Sequence, residues 1–158
     1  MRKRSLVIVA TIVLVLALAT MVLAADPFVG TWKLNVAKSK ATDPSAMPQS
    51  ETFKAEALDN GQKTTVDGLD ANGKTYHFEF SIKYDGKDYP VTGYPLADTF
   101  AQKKIDANTL ELVAKKAGKE VERWRFIVSK DGKTETSTGK GMTEKGKAYN
   151  GTFVYDKQ

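Results

Sequence analysis

The sequence predicts an all-β fold, an antiparallel up-and-down meander barrel of about ten strands, and three observations predict it. Turn signals (Asn60-Gly61, Asn72-Gly73, Asp85-Gly86, Gly118, Asp131-Gly132 and Gly146) recur at intervals of roughly a dozen residues, with one longer gap. Asn-Gly and Asp-Gly suit tight hairpins because both residues tolerate positive φ. Between them lie stretches rich in Thr, Val, Tyr and Phe that alternate with period two, the repeat of a strand with one buried face. No window of helical periodicity survives the glycines and prolines, so almost no helix is expected. A meander of this size avoids open edges by closing into a barrel or folding over as a sandwich, and uniformly short connections favour the barrel.

The elements follow in order. Residues 1–25 stand apart from the fold: Arg2, Lys3 and Arg4 precede an almost unbroken apolar run from Leu6 to Leu23, which ends in Ala24-Ala25. Charge, apolar run and small-residue exit read as a secretory signal peptide. The run also reaches spanning length, so an uncleaved N-terminal anchor is the alternative. The expected location is exported, periplasmic or extracellular, with membrane contact only through residues 1–25 if they stay attached.

Residues 26–158 form one domain. Its expected strands are Val29–Asn35, Glu51–Leu58, Gln62–Leu69, Lys74–Tyr84, Lys87–Val91, Asp98–Ile105, Thr109–Lys116, Glu120–Ser129, Lys133–Met142 and Lys147–Asp156. The only long loop, Val36 to Gln49, carries Pro44 and Pro48 and is expected to form a flap across one barrel mouth or end. Gly151, within the last strand, reads as a bulge.

Composition narrows the function. The whole chain is +5, but without Arg2, Lys3 and Arg4 there remain 21 basic and 19 acidic residues, a net +2. Balanced, interspersed charge does not suggest a nucleic-acid partner. There is no cysteine, so neither a disulfide framework nor a thiolate metal site is available. The chain holds 2 Trp, 6 Tyr and 7 Phe, all after residue 25, and these supply the burial.

Candidate chemistry is sparse. His77 is the only histidine; it falls on the polar face of the Lys74–Tyr84 strand and lacks the partners a metal or haem site requires. Acidic residues are spread along turns and outer faces without an evident acid–base pair, and no serine lies in a nucleophile elbow. Gly139-Lys140-Gly141 is no phosphate loop, because no helix follows. The expectation is a protein that is not an enzyme and carries no metal or cofactor.

The apolar faces are more informative. Tyr76, Phe78, Phe80, Ile82 and Tyr84 share one side of their strand. On the Glu120–Ser129 strand, Trp124, Phe126 and Val128 oppose Arg123, Arg125 and Ile127. Burying Trp and Phe gains about 2–3 kcal/mol each, whereas burying two unpaired guanidiniums costs several kcal/mol apiece. This favours Trp124 inward; the alternative, arginines inward, would make Arg123 and Arg125 an anion site. Small or polar inward positions are expected at Ala55, Ala57, Thr64, Ala114, Thr134, Thr136 and Thr138. They would leave space beside the aromatic residues, since about ten strands enclose more interior than side chains readily fill. Trp32, Phe53, Tyr76, Phe78, Phe80, Tyr84, Trp124 and Phe126 are the candidate pocket wall.

The segment Phe28-Val29-Gly30-Thr31-Trp32-Lys33-Leu34 resembles the first strand of the fatty-acid-binding proteins, and Gly-x-Trp on a first strand is also the lipocalin signature. Lys38-Ser39-Lys40, Asp85-Gly86-Lys87-Asp88-Tyr89-Pro90-Val91-Thr92-Gly93 and Ser129-Lys130-Asp131-Gly132-Lys133 extend the likeness to exported bacterial lipocalin-like proteins of unassigned function. The resemblance implies a calycin barrel whose Trp32 closes one end, with Gly30 allowing close backbone approach. Two departures stand out. The segment after the first strand is too short for a helix–turn–helix lid, and the last strand, Tyr149–Tyr155, lacks the arginine of the fatty-acid carboxylate site. The resulting expectation is a monomeric barrel of the bacterial cell envelope that binds a small apolar ligand or lipid. The alternative is a protein-interaction or inhibitor module with a solid core.

Overall fold

A computed structural model describes residues 25–158; the expected signal segment lies outside them, except for Ala25. The strands are β1 (Gly30–Leu34), β2 (Lys40–Ala41), β3 (Ser50–Leu58), β4 (Gly61–Leu69), β5 (Thr75–Lys83), β6 (Asp85–Thr92), β7 (Thr99–Asp106), β8 (Thr109–Lys116), β9 (Lys119–Val128), β10 (Thr134–Met142) and β11 (Ala148–Lys157). From β3 to β11 each strand pairs antiparallel with the next. Strand β1 pairs with both β3 and β11 and closes the ring. The result is an all-β, closed, ten-stranded up-and-down barrel compatible with a calycin-like architecture, plus the short extra strand β2. Helix among the described residues amounts to two single 3-10 turns, Val36–Lys38 and Pro44–Ala46.

The Val36–Gln49 segment is more ordered than a flap. Strand β2 pairs with β11 at Gly151 and Thr152, above the place where β1 leaves it, so β1 and β2 act as one interrupted strand along the same edge. Asp43 caps the second 3-10 turn by accepting from the Ser45 N–H and hydroxyl, and Lys147 pairs with it at 2.7 Å. Those contacts, Lys147 foremost, hold the Asp43 carboxyl down at about 2.

One end of the barrel is filled. Phe28, Trp32, Ile82, Leu110 and Val128 are the largest fully buried side chains. Trp32 is 0% exposed and its indole Nε1 donates to the Phe28 carbonyl at 3.0 Å. Trp32 therefore closes an end, as expected, but backbone is not what approaches Gly30. Gly30 has φ +142°, and a Cβ there would run into the side chain of Lys157, whose ammonium lies 5.0 Å from the Trp32 ring centroid.

Several local expectations are corrected by register. The β3–β4 turn is made by Asp59 and Asn60, with Leu58 opposite Gly61; Asn60 takes the positive φ (51°) and Gly61 already belongs to the strand. Gly151 is no bulge, since β10 and β11 pair without a break from Thr134↔Asp156 to Met142↔Ala148. It is small because the rings of Phe153 and Trp124 lie where its Cβ would be. On β10, Thr134, Thr136 and Thr138 face outward, while Glu135 and Ser137 are buried. Of the other expected small inward positions, Ala55, Thr64 and Ala114 are buried, whereas Ala57 is exposed towards the end of β3.

Candidate functional site

Above the filled end the barrel is hollow. A cavity of about 680 Å³ runs from Phe28 up to a mouth formed by the segment around Ser45–Pro48, the β4–β5 turn, the β6–β7 loop and the β10–β11 turn. Strand alternation sends its wall residues inward: Phe53 from β3, Val66 from β4, Phe78 and Phe80 from β5, Phe100 from β7, Trp124 and Phe126 from β9, and Tyr149, Phe153 and Tyr155 from β11. The rings form two clusters. Phe100 meets Phe80 edge-on at 5.1 Å, and Tyr94, reaching in from the β6–β7 loop, lies 4.9 Å from Phe78 and 5.4 Å from Phe100. Across the cavity, Trp124 packs 5.5 Å from Phe153 and 6.0 Å from Tyr149.

Of the eight residues expected to form a pocket wall, six line this cavity: Phe53, Tyr76, Phe78, Phe80, Trp124 and Phe126. Trp32 and Tyr84 are buried but are not part of the lining. Arg123 and Arg125 point away from the interior. Arg123 forks onto Glu120 at 3.0 and 2.7 Å, and Arg125 reaches Glu111 at 2.5 Å. Both line a shallow groove outside the barrel with Lys40 and Lys140, so an interior anion site built on them is ruled out by geometry. His77 faces outward, with its Nδ1 2.7 Å from Asp67 on the neighbouring strand.

The expectation that acidic residues stay on turns and outer faces fails at three positions. Glu51, Glu122 and Glu135 all line the cavity. The Glu51 carboxylate accepts from the Tyr76 and Tyr155 hydroxyls, both at 2.5 Å; burial pushes its pKa up, with the two hydroxyls opposing. Glu122 bridges the two aromatic clusters. Its Oε2 accepts from the Tyr94 hydroxyl at 2.8 Å and the Trp124 Nε1 at 3.3 Å, and burial raises its pKa as well. Glu135 is 2% exposed, and burial, with Glu51 nearby, pushes it up to about 8. Oε1 of Glu122 and Oε1 of Glu135 are buried without a hydrogen-bond partner among the described residues. The cationic side chains in the lining, Lys74 and Lys145 with His77 beside them, belong to the mouth.

A parity argument could have found two of these acids. Glu122 stands two residues before Trp124, and Glu51 two before Phe53, so turning either aromatic inward turns the acid inward with it. Tyr94 left no such signal, because it comes from a loop. Among the described residues, no group of three His, Asp or Glu side chains could hold a metal ion. No family model matches the chain, and no curated protein matches it.

Proposed function

We propose that this is a small-molecule-binding barrel, exported to the cell envelope and carrying or sequestering an amphipathic ligand. The observation that carries the reading is the cavity of about 680 Å³, open at one end and walled by aromatic side chains. Ligand pockets run from about 300 to 1,000 Å³ and combine an apolar lining with a few placed polar groups. A barrel serving only as an interaction module has no use for such a hollow, because empty space removes packing contacts and costs stability. The reading is of binding rather than catalysis, since a carrier requires only the wall and the mouth.

The test is titration with the neutral probe N-phenyl-1-naphthylamine, followed by quenching of Trp124 emission, together with native mass spectrometry for a co-purifying ligand. Saturable binding that weakens in Phe126→Ala is the expected result. Absence of binding for any neutral or charged amphiphile would replace this reading with the interaction module. N-terminal sequencing of the exported protein should begin at Ala25 or Asp26; recovery of Met1 from membranes would show an anchor instead.

A further inference from the structure

Below the mouth, where Lys74 and Lys145 stand, the acids in the cavity have no basic counterpart among the described residues. Glu51, Glu122 and Glu135 come from three different strands and face one enclosed space. Among the described residues no salt bridge reaches them: Arg123 and Arg125 pair with outer-face glutamates, Lys115 and Lys116 with Asp88 and Asp98, and Lys74 and Lys145 stand at the mouth. A buried carboxyl normally appears with a paired cation or a full set of hydrogen bonds, because an ionised one left alone is costly. Two carboxyl oxygens, Glu122 Oε1 and Glu135 Oε1, have neither, although both residues are buried, at 3% and 2% exposure.

The surroundings of Glu122 say what would complete it. Glu122 sits between Tyr94 and Trp124, and Phe78, Phe100, Tyr149 and Phe153 extend the two ring clusters around it. Aromatic faces attract cations, most strongly where water is excluded, and such cages recognise quaternary ammonium groups. A carboxylate ligand would instead lie against buried carboxyl groups, the lysines of the lining being at the mouth. A bare metal ion is disfavoured too, since among the described residues no three His, Asp or Glu groups are placed to hold one. The apolar remainder of the lining, with Val66, Phe80, Leu110 and Leu112, suits a hydrocarbon tail or ring.

From this geometry we infer that the barrel takes an organic cation, an amine or quaternary ammonium carrying an apolar body, with its charged head beside Glu122. The inference rests on the ligand-binding reading above and names the chemistry of its ligand. Glu122 and the rings of Tyr94 and Trp124 contact the head. Glu51 is already occupied by two tyrosine hydroxyls, and Glu135 lies deeper, opposite Val128 on β9.

The experiment compares three eight-carbon probes, octyltrimethylammonium, octanol and octanoate, by calorimetry below their aggregation concentrations. The ammonium probe carries a permanent charge, so its own titration does not enter. We expect it to bind at least about tenfold more tightly than octanol, with octanoate weakest. In Glu122→Gln the ratio of ammonium to alcohol affinity falls by roughly tenfold. Glu111→Gln, the same charge change on the outer face, leaves that ratio where it was. If octanol or octanoate binds the wild-type barrel as tightly as the ammonium probe, the inference is overturned while the binding reading stands. If none of the three binds, both are overturned. The wild-type comparison decides the matter even if a glutamine variant does not fold.

Discussion

At the closed end, Trp32, Phe28, Ile82 and Val128 fill the barrel with carbon, and the one polar atom of Trp32 is matched to a carbonyl 3.0 Å away. From the level of Val128, whose strand partner is Glu135, upward, the same inward-facing alternation delivers Glu135, Glu51, Tyr76, Tyr149 and Glu122 around empty space. The backbone is alike in both regions, so the difference lies in the side chains the alternation presents. The closed end is built for stability, since each group there is packed or paired. The cavity gives up stability through a void and unpartnered carboxyl oxygens, which is the pattern of a functional site.

The comparison is broken most severely by removing the plug. Trp32→Ala should destabilise the protein by about 3–5 kcal/mol in denaturant titrations. Phe80→Ala, on the cavity wall, should cost less, about 1–3 kcal/mol, because part of its ring already faces unfilled space. Equal losses at the two sites would mean that the upper barrel is as solid as the lower.

The acids make stability fall with rising pH. Glu135 is at about 8 in the folded protein against an ordinary 4.5, so between those values the folded state holds a proton that the unfolded chain has released. The stabilisation is complete below about pH 4.5 and is lost as pH rises towards 8. The groups facing it are Glu51, also raised by burial, and Tyr155, which stays protonated because burial raises it too. Thermal denaturation across pH 5–8 should therefore show a decline on the order of 3 kcal/mol. Glu135→Gln should remove most of it; a flat profile in the wild type would show that Glu135 is not buried as described.

The smallest effect lies outside both regions. The β8–β9 turn has two positive-φ residues, Ala117 at 48° and Gly118 at 75°, and the first carries a Cβ. Ala117→Gly should gain about 1 kcal/mol and change neither the pH profile nor ligand affinity.

Most of the fold was legible because hairpin chemistry and period-two alternation are local properties. The Lys74–Tyr84 strand shows this best, with every inward aromatic identifiable from spacing alone. The one-residue shift of the Asn60 turn was not legible, since Asp59-Asn60 and Asn60-Gly61 are both acceptable turn pairs. The acids were misread for a different reason. Ordinary burial costs argue that a carboxyl belongs outside, whereas on β10 Glu135 and Ser137 are buried and Thr134, Thr136 and Thr138, expected inward, face outward. A binding cavity violates the cost rule, so its polar residues are the ones such reasoning places wrongly. Tyr94 depends on how a loop folds back and has no periodic signature.

The direction in which the chain reaches the barrel has a consequence of its own. Phe28 and Asp26 lie at the closed end, where Asp26 pairs with Lys104 at 3.7 Å, and β1 runs from there towards the mouth. Anything fastened ahead of Asp26 would thus hold the barrel like a cup on its stem, rim outward. A leash to a surface would leave the opening free to exchange its contents with the surrounding fluid, and shortening that leash would restrict where the cup can travel before it restricted what it can hold.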